Sequence, residues 1–459
     1  MHRAAALCVL AWPALASAQM EVLRFDDDFA AQRAHCAATR SNASPGSNAA
    51  CWKEMPLGTR LPWTLSLGGE ARWRYEYTHH PAYGEDPQDK RGAVLQRYAA
   101  FVDLRAGNRI RGFVQINSAW ATGRVAGPSP VDENRLDLEN AFVEVSSQAS
   151  AGSVLGLRHG IQELRLGSAR LVDVREGPNV RRTFQGTRGW AQFGAWRVDA
   201  FDVSPRLALP ASFDDRRSLT QDLQGVYATR NQSNSGLDLY ALHYDARDAR
   251  YVQGSAQERR WSLGVRSFGQ RGPWDWNWEA VLQGGHFGDA SIRAWTLATD
   301  TGYTFTGAQW SPRVALLAAA ASGDRHPGDG RLETFNPMFP RGNYFGEDAT
   351  LGPHNFFNLQ PTVSFQPHAD VSVEASLDVF WRQSPDDGVY APAGALVRAP
   401  GGSRARHVAT VASLGTTWEP TPQWTSSVVL AYLKPGRFLR ETGDHQPLGY
   451  IELTLRYRF

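Results

Sequence analysis

WTLSLGGEARWRYEYT, residues 63–78, sets Leu65, Leu67, Gly69, Ala71, Trp73, Tyr75 and Tyr77 against Ser66, Gly68, Glu70, Arg72, Arg74, Glu76 and Thr78. A period of two gives an extended strand one apolar and one charged face. Held over 14 residues, the pattern outlasts most soluble strands and suits a tilted strand that crosses a bilayer. The rhythm returns. WDWNWEAVLQ (274–283) alternates Trp274, Trp276, Trp278, Ala280 and Leu282 with Asp275, Asn277, Glu279 and Gln283, and DVSVEASLDVFW (370–381) and RRWSLGVRSF (259–268) repeat it. A soluble sandwich also alternates, but with shorter strands and a Thr- and Lys-rich polar face.

Composition agrees. The 459 residues have a mean hydropathy of −0.41 yet carry 16 Trp, 14 Tyr, 21 Phe and 43 Gly, a polar average with heavy aromatic content that is ordinary for a transmembrane β-barrel. The net charge of +2 gives no global basic field of the kind that gathers nucleic acid. Only Lys53, Lys90 and Lys434 are lysines, leaving 45 arginines. Arginine binds carboxylate or phosphate through a planar fork where lysine is a point charge; a codon bias toward arginine would give the same ratio, so placement must carry the argument.

The first residues, MHRAAALCVLAWPALASAQM, read as a secretory signal over 1–18: a basic start, an apolar run, and Ala16-Ser17-Ala18 as the cleavage site. Residues 19–62 then form an N-terminal periplasmic segment and 63–459 the barrel. Cys36 and Cys51, 15 residues apart in an exported segment, allow a disulfide in an oxidising periplasm, with two separate thiols as the alternative. No later stretch reaches the roughly 18 consecutive apolar residues of a spanning helix.

The connections predict the topology. Short links near 107–108, 147–152, 193–195, 231–235, 270–273, 306–309, 366–369 and 419–423 alternate with long ones near 79–95, 120–134, 164–185, 205–221, 246–257, 323–356, 384–405 and 435–447. Only the link near 288–291 breaks the alternation. The expectation is an all-β, antiparallel outer-membrane barrel of about 18 strands with both termini in the periplasm, an even count being what closure requires. YIELTLRYRF (450–459) ends the chain as outer-membrane barrels commonly end, on an alternating strand closing with Phe459, the form that the barrel-assembly machinery recognises.

With apolar residues facing lipid, the charged residues of each strand face the lumen. Arg72 and Arg74 on the first strand and Arg456 on the last, neighbours in a closed barrel, predict one basic wall with Arg97 and Arg111 beside it. Interior acids, among them Glu70, Glu76, Asp103, Glu139 and Glu452, leave two readings open: ladders of ion pairs that only hold the barrel open, or a subset of arginines left to select anions. VREGPNVRRTFQG (174–186) lies in the long link 164–185 and either folds inward as a constriction or stands outside and meets lipopolysaccharide phosphate; its Gly-Pro-Asn turn, with Asp173 and Glu176 as local partners, favours the inward fold.

Three stretches resemble the alginate-export family of outer-membrane barrels: LSLGGEARWRYEY at the first strand, QELRLGSARLVDVREGPNVRRTFQG in the arginine-rich region, and RLETFNPMFPRGNYFGEDATLGPHNFFNLQP at 331–361. The resemblance implies an 18-stranded monomer whose arginine-lined lumen passes a polyuronate to the cell surface. It assigns the pathway to Arg72, Arg74, Arg158, Arg165, Arg175, Arg181, Arg188, Arg341 and Arg456, with Asp173 as a lumen acid shaping the constriction. No periplasmic link is long enough to plug the inner mouth, so any gate comes from extracellular loops, the 323–356 loop foremost, or from residues 19–62.

An enzyme is not indicated: the histidines are scattered, no serine sits in a G-x-S-x-G turn, and no metal-ligand spacing occurs. The expected function is an anion-selective channel of the Gram-negative outer membrane that exports an acidic, alginate-like polysaccharide by passive diffusion, with no cofactor and no metal. The alternative is an uptake porin for small carboxylates. Expected partners are the anionic solute, the bilayer and lipopolysaccharide, the assembly machinery, and a periplasmic scaffold.

Overall fold

The computed structural model describes residues 21–34, 52–58, 62–148, 152–343, 345 and 350–459. The expected leader, Cys36 and Cys51 lie outside the described residues.

Eighteen strands form the wall: β1 (Trp63–His79), β2 (Ala93–Ala106), β3 (Ile110–Thr122), β4 (Asn134–Gln148), β5 (Val154–Gln162), β6 (Phe184–Phe193), β7 (Trp196–Leu207), β8 (Gln221–Asn231) and β9 (Ser235–Tyr251) make the first half. The second half is β10 (Gly254–Arg271), β11 (Trp274–Phe287), β12 (Ala290–Thr304), β13 (Arg313–Ala321), β14 (Phe356–His368), β15 (Val371–Arg382), β16 (His407–Thr421), β17 (Trp424–Pro435) and β18 (Leu448–Arg458). Each strand pairs antiparallel with the next, and β1 pairs with β18 to close the sheet, with Arg72 opposite Arg456 and Glu76 opposite Glu452. Closure leaves no unpaired edge in the hydrocarbon. The seam finishes at the C-terminus, where Phe459 and Gly69 exchange backbone hydrogen bonds of 3.0 and 3.1 Å.

The pleat sorts the side chains as the sequence predicts. Trp261, Leu263 and Val265 on β10, and Ile451, Leu453 and Leu455 on β18, are exposed on the outer face, while Glu70, Arg72, Glu452 and Arg458 are buried inside. Short turns and both ends of the sheet lie at one rim, which outer-membrane barrels turn to the periplasm.

Two expectations change. The link 246–257 is no long loop: Tyr251 pairs with Gly254, and β9 and β10 continue through a bulge between Ala246 and Ala249 to a turn at 252–253. Strands that rise beyond the lipid have water on both sides, so the apolar alternation that marks a strand in sequence fades there. The lumen is also not uniformly charged. Phe101, Phe113 and Phe142 point inward near the short-turn rim, where Phe25 and Phe29 cover them: Phe29 stacks on Phe101 at 5.6 Å and Phe25 meets Phe142 edge-on at 5.3 Å. Across the barrel, Leu223, Tyr227, Tyr240 and Val281 form an apolar inner wall packed with Phe335 and Phe339 of the 322–355 loop. Both apolar patches exist because a segment of the chain is packed on them.

Gly186 pairs with Gly160 across β5 and β6, where the strands enter the inward loop. At its φ of +155° a Cβ would stand 2.2 Å from the Asp202 carbonyl oxygen. Gly186→Val should therefore lower the fraction of chain that migrates as a folded, heat-modifiable barrel on electrophoresis, with wild-type yield as the contrary result.

The long loop 208–220 is tied at the opposite rim by Asp215, which accepts from the Leu209 N–H at 2.8 Å and from Asn134 at 3.0 Å, with Asp137 accepting from the Asp215 N–H at 2.9 Å. Burial pushes the Asp215 carboxyl up to about 6 from an ordinary 3.8, and Asp137 adds to the rise. The folded loop then holds its proton more tightly than a loosened one. Its stability is greatest below about pH 4 and is lost as pH rises through about 6. Cleavage within 208–220, normalised to protease activity, should be faster at about pH 7.5 than at about pH 5.

Candidate functional site

The register across β2, β1 and β18 sets Arg97, Arg72 and Arg456 in one row, because Arg72 faces both of the others. Like charges directly opposite repel, so the row requires acceptors. Glu70 on β1 bridges Arg97 at 2.6 Å and Arg458 at 3.2 Å. A second carboxylate comes from the loop that joins β5 to β6: Glu176 reaches Arg97 at 2.8 Å, Arg456 at 3.1 Å and Arg181 at 3.1 Å.

Arg72 is met differently. Its guanidinium donates to the backbone oxygens of Glu176, Gly177 and Pro178 at 2.9, 3.0 and 3.0 Å and to Asn179 Oδ1 at 3.1 Å. Arg74 adds a bond to the Gly177 oxygen at 2.8 Å and pairs with Glu452 at 3.2 Å. The Gly-Pro-Asn turn thus wraps its carbonyls around one buried arginine fork. Asn179, fully buried, donates onward to the oxygens of Gln96, Trp120 and Asp132 at 3.0, 3.1 and 2.8 Å. The loop is inside the barrel, as its turn chemistry predicts, and it is fixed to the wall.

A second group surrounds the segment 21–34. Arg111 pairs with Asp103 at 2.9 Å and donates to the Phe25 oxygen at 2.7 Å. Arg158 pairs with Glu144 at 2.7 Å and lies 4.3 Å from the Phe25 ring centroid and 4.1 Å from that of Phe142. Arg188 and Arg197 share Asp199, each at 2.9 Å.

A third group joins the two inward loops. Asp173 accepts from the Arg175 N–H at 3.0 Å and pairs with Arg165 at 3.4 Å, and its own N–H donates to the Phe339 oxygen at 2.9 Å. The Arg341 N–H donates to the Ala169 oxygen at 3.1 Å, and its side chain is within electrostatic reach of Glu374 on β15. Residues 339–341 therefore pack inward, against the arginine loop.

The predicted residues fall into these three places rather than one ring. Arg72, Arg74, Arg97, Arg181 and Arg456 gather at the Glu176 constriction; Arg111, Arg158 and Arg188 line the short-turn half; Arg165, Arg175, Arg341 and Asp173 sit where the loops meet. Most of these guanidiniums have wall or loop acids close by, so ion-pair ladders account for much of the arginine. The Arg456 and Arg165 side chains keep 21% and 20% exposure where Arg97 keeps 2%, so positive charge still meets water beside Glu176 and where the loops meet. Three contributors escaped the sequence reading: the bridging role of Glu176, the anchoring role of Asn179, and Arg197. Nothing local distinguishes Asn179 from any other turn asparagine; only the Asp199 spacing two residues on hints at Arg197.

Solved structures share the architecture. A BenF-like porin from Pseudomonas fluorescens Pf-5 is 8% identical, with a TM-score of 0.59 over 86% of this chain and 98% of its own. Pseudomonas aeruginosa OpdO is 10% identical with a TM-score of 0.57 (86% and 97% covered), and OpdK with vanillate, from the same organism, is 10% identical with a TM-score of 0.55 (86% and 98%). No curated protein sequence matches the chain significantly. A closed eighteen-strand barrel with loops folded into its lumen is a channel of the Gram-negative outer membrane. This chain belongs to the alginate export family, whose model matches residues 63–447.

If the carbonyl cradle holds the constriction, Arg72→Ala and Asn179→Ala should leave a heat-modifiable barrel but free the 174–182 turn. Single-channel records would then show conductance raised by about twofold or more, with increased open-channel noise; quiet, wild-type currents would remove Arg72 from that role.

Proposed function

We propose that this barrel is an anion-selective channel that exports an acidic, alginate-like polysaccharide down its gradient, and that the arginine row at the constriction selects the solute. The observation that carries the reading is the row itself: Arg97, Arg72 and Arg456 in register, with Arg74 and Arg181 alongside, and Arg456 partly open to water. Repeated uronate carboxylates would pass along such a wall by exchanging partners with Glu176, Glu70 and Glu452. Each contact must be weak and shared, since a solute that binds tightly at one place cannot leave. The arginines already paired to wall acids keep individual contacts shallow.

Membership of the alginate export family supports a polymeric acid. A small-carboxylate uptake porin is favoured by a different feature: two inward loops meet and pair in the lumen, and OpdK, of similar fold, was solved with vanillate. In either case the channel works as a monomer without cofactor or metal, inserted through its C-terminal strand by the assembly machinery, with lipopolysaccharide around its outer rim and a periplasmic scaffold delivering polymer to the inner mouth. It is a conduit and not an enzyme.

Currents across planar bilayers, recorded during graded additions of polyuronate and of small carboxylates, separate the readings. Block by the polymer at the lower concentration is expected; block by small acids alone would favour uptake. Glu176→Gln keeps the shape of the bridging side chain but removes its charge, and should move the reversal potential in a salt gradient further toward anions. A shift toward cations would contradict the arginine row as selector.

A further inference from the structure

The chain EVLRFDDDFAAQRA, residues 21–34, runs within the short-turn half of the barrel. It touches inward-facing residues of the wall, the arginine loop, and Lys53 and Glu54 of the stretch 52–58. Arg24 bridges Glu70 at 2.9 Å, the Phe25 oxygen accepts from Arg111, and the Val22 oxygen accepts from Arg181 of the inward loop at 2.7 Å. Phe25 and Phe29 pack on an inward apolar patch of Phe101, Phe113 and Phe142, and Lys53 lies 4.8 Å from the Phe101 ring centroid. Such packing is deep and specific.

The acids of this segment are distributed along the same arginines that an anionic solute would meet. Asp26 is within electrostatic reach of Arg158 and Arg197, Asp27 of Arg24 and Arg458, and Glu21 of Arg165. On the wall near Asp26, the ion pairs of Arg158, Arg188 and Arg197 among the described residues are with Glu144 and Asp199. The third negative charge comes from the segment. The surplus positive charge favours a carboxylate nearby, most at Arg158, 6% exposed, and least at Arg197, which water still reaches at 39% exposure.

We propose that residues 21–34 are a built-in acidic plug that occupies the anion path from the periplasmic side, its carboxylates marking subsites that a uronate takes over when the plug is displaced. The Arg158–Arg188–Arg197 cluster is the principal subsite. This rests on reading the lumen as an anion path, and it adds what that reading lacks: a gate at the inner mouth and an entry site behind it.

The test begins with the full chain. Phe25→Ala with Phe29→Ala removes the anchors and should raise single-channel conductance several-fold, with frequent transitions between open and blocked levels; unchanged conductance would overturn the plug. A chain lacking 21–34, checked for heat-modifiable migration, should stay open. A synthetic peptide of residues 21–34 added to the periplasmic side should close it again, and the same peptide with Glu21, Asp26, Asp27 and Asp28 as amides should need about tenfold more, the loss of about 1.4 kcal/mol. Equal block by both peptides would overturn the carboxylate subsites. An opened pore that carries cations as readily as anions would instead overturn the anion-channel reading while leaving the plug in place.

Discussion

Arg72 is the point on which the interior depends. A strand in a closed barrel can place a guanidinium in the lumen, but two neighbouring strands place Arg97 and Arg456 directly beside it. Three cations in register could not be buried against a bare wall. The 163–183 loop resolves the conflict by bringing three carbonyls and an asparagine to Arg72 and one shared carboxylate to its neighbours. The same contacts that neutralise the row draw the loop inward and define the narrow part of the channel. One set of bonds thus holds the loop and neutralises the row, with positive charge left over where Arg456 meets water.

The rest of the lumen follows the same logic of satisfaction by a segment from elsewhere in the chain. The inward apolar wall formed by β8, β9 and β11 would be exposed to a wet channel without Phe335 and Phe339, and the phenylalanines of β2, β3 and β4 without Phe25 and Phe29. Each patch costs free energy in water at a rate of about 25 cal/mol per Å², which favours the packed arrangement. Strands with mixed inner faces therefore encode partners as well as a pore.

Sequence periodicity made the wall legible because the bilayer imposes a physical rule on every strand alike: apolar outward, polar inward, with no edge unpaired. Strand positions, their even number, the closure of β1 on β18, and the inward direction of Arg72, Arg97 and Arg456 all follow from that rule. It fails where the rule does not apply. Above the lipid, the β9–β10 hairpin has no apolar face to announce it, and the run from 246 to 257 reads as loop. Inside the barrel, Phe101 and Phe113 keep strand parity but break the polar pattern, since what they face is another part of the protein.

The sequence by itself determined the barrel, its orientation and the concentration of arginine in its lumen, since these rest on interactions between each residue and a uniform solvent, lipid or water. Which arginines are spent holding loops and which meet water was decided only in three dimensions. Glu176, Asn179 and the acids of residues 21–34 reach partners far away along the chain, and a contact of that kind depends on the path of the whole backbone, which no local pattern records.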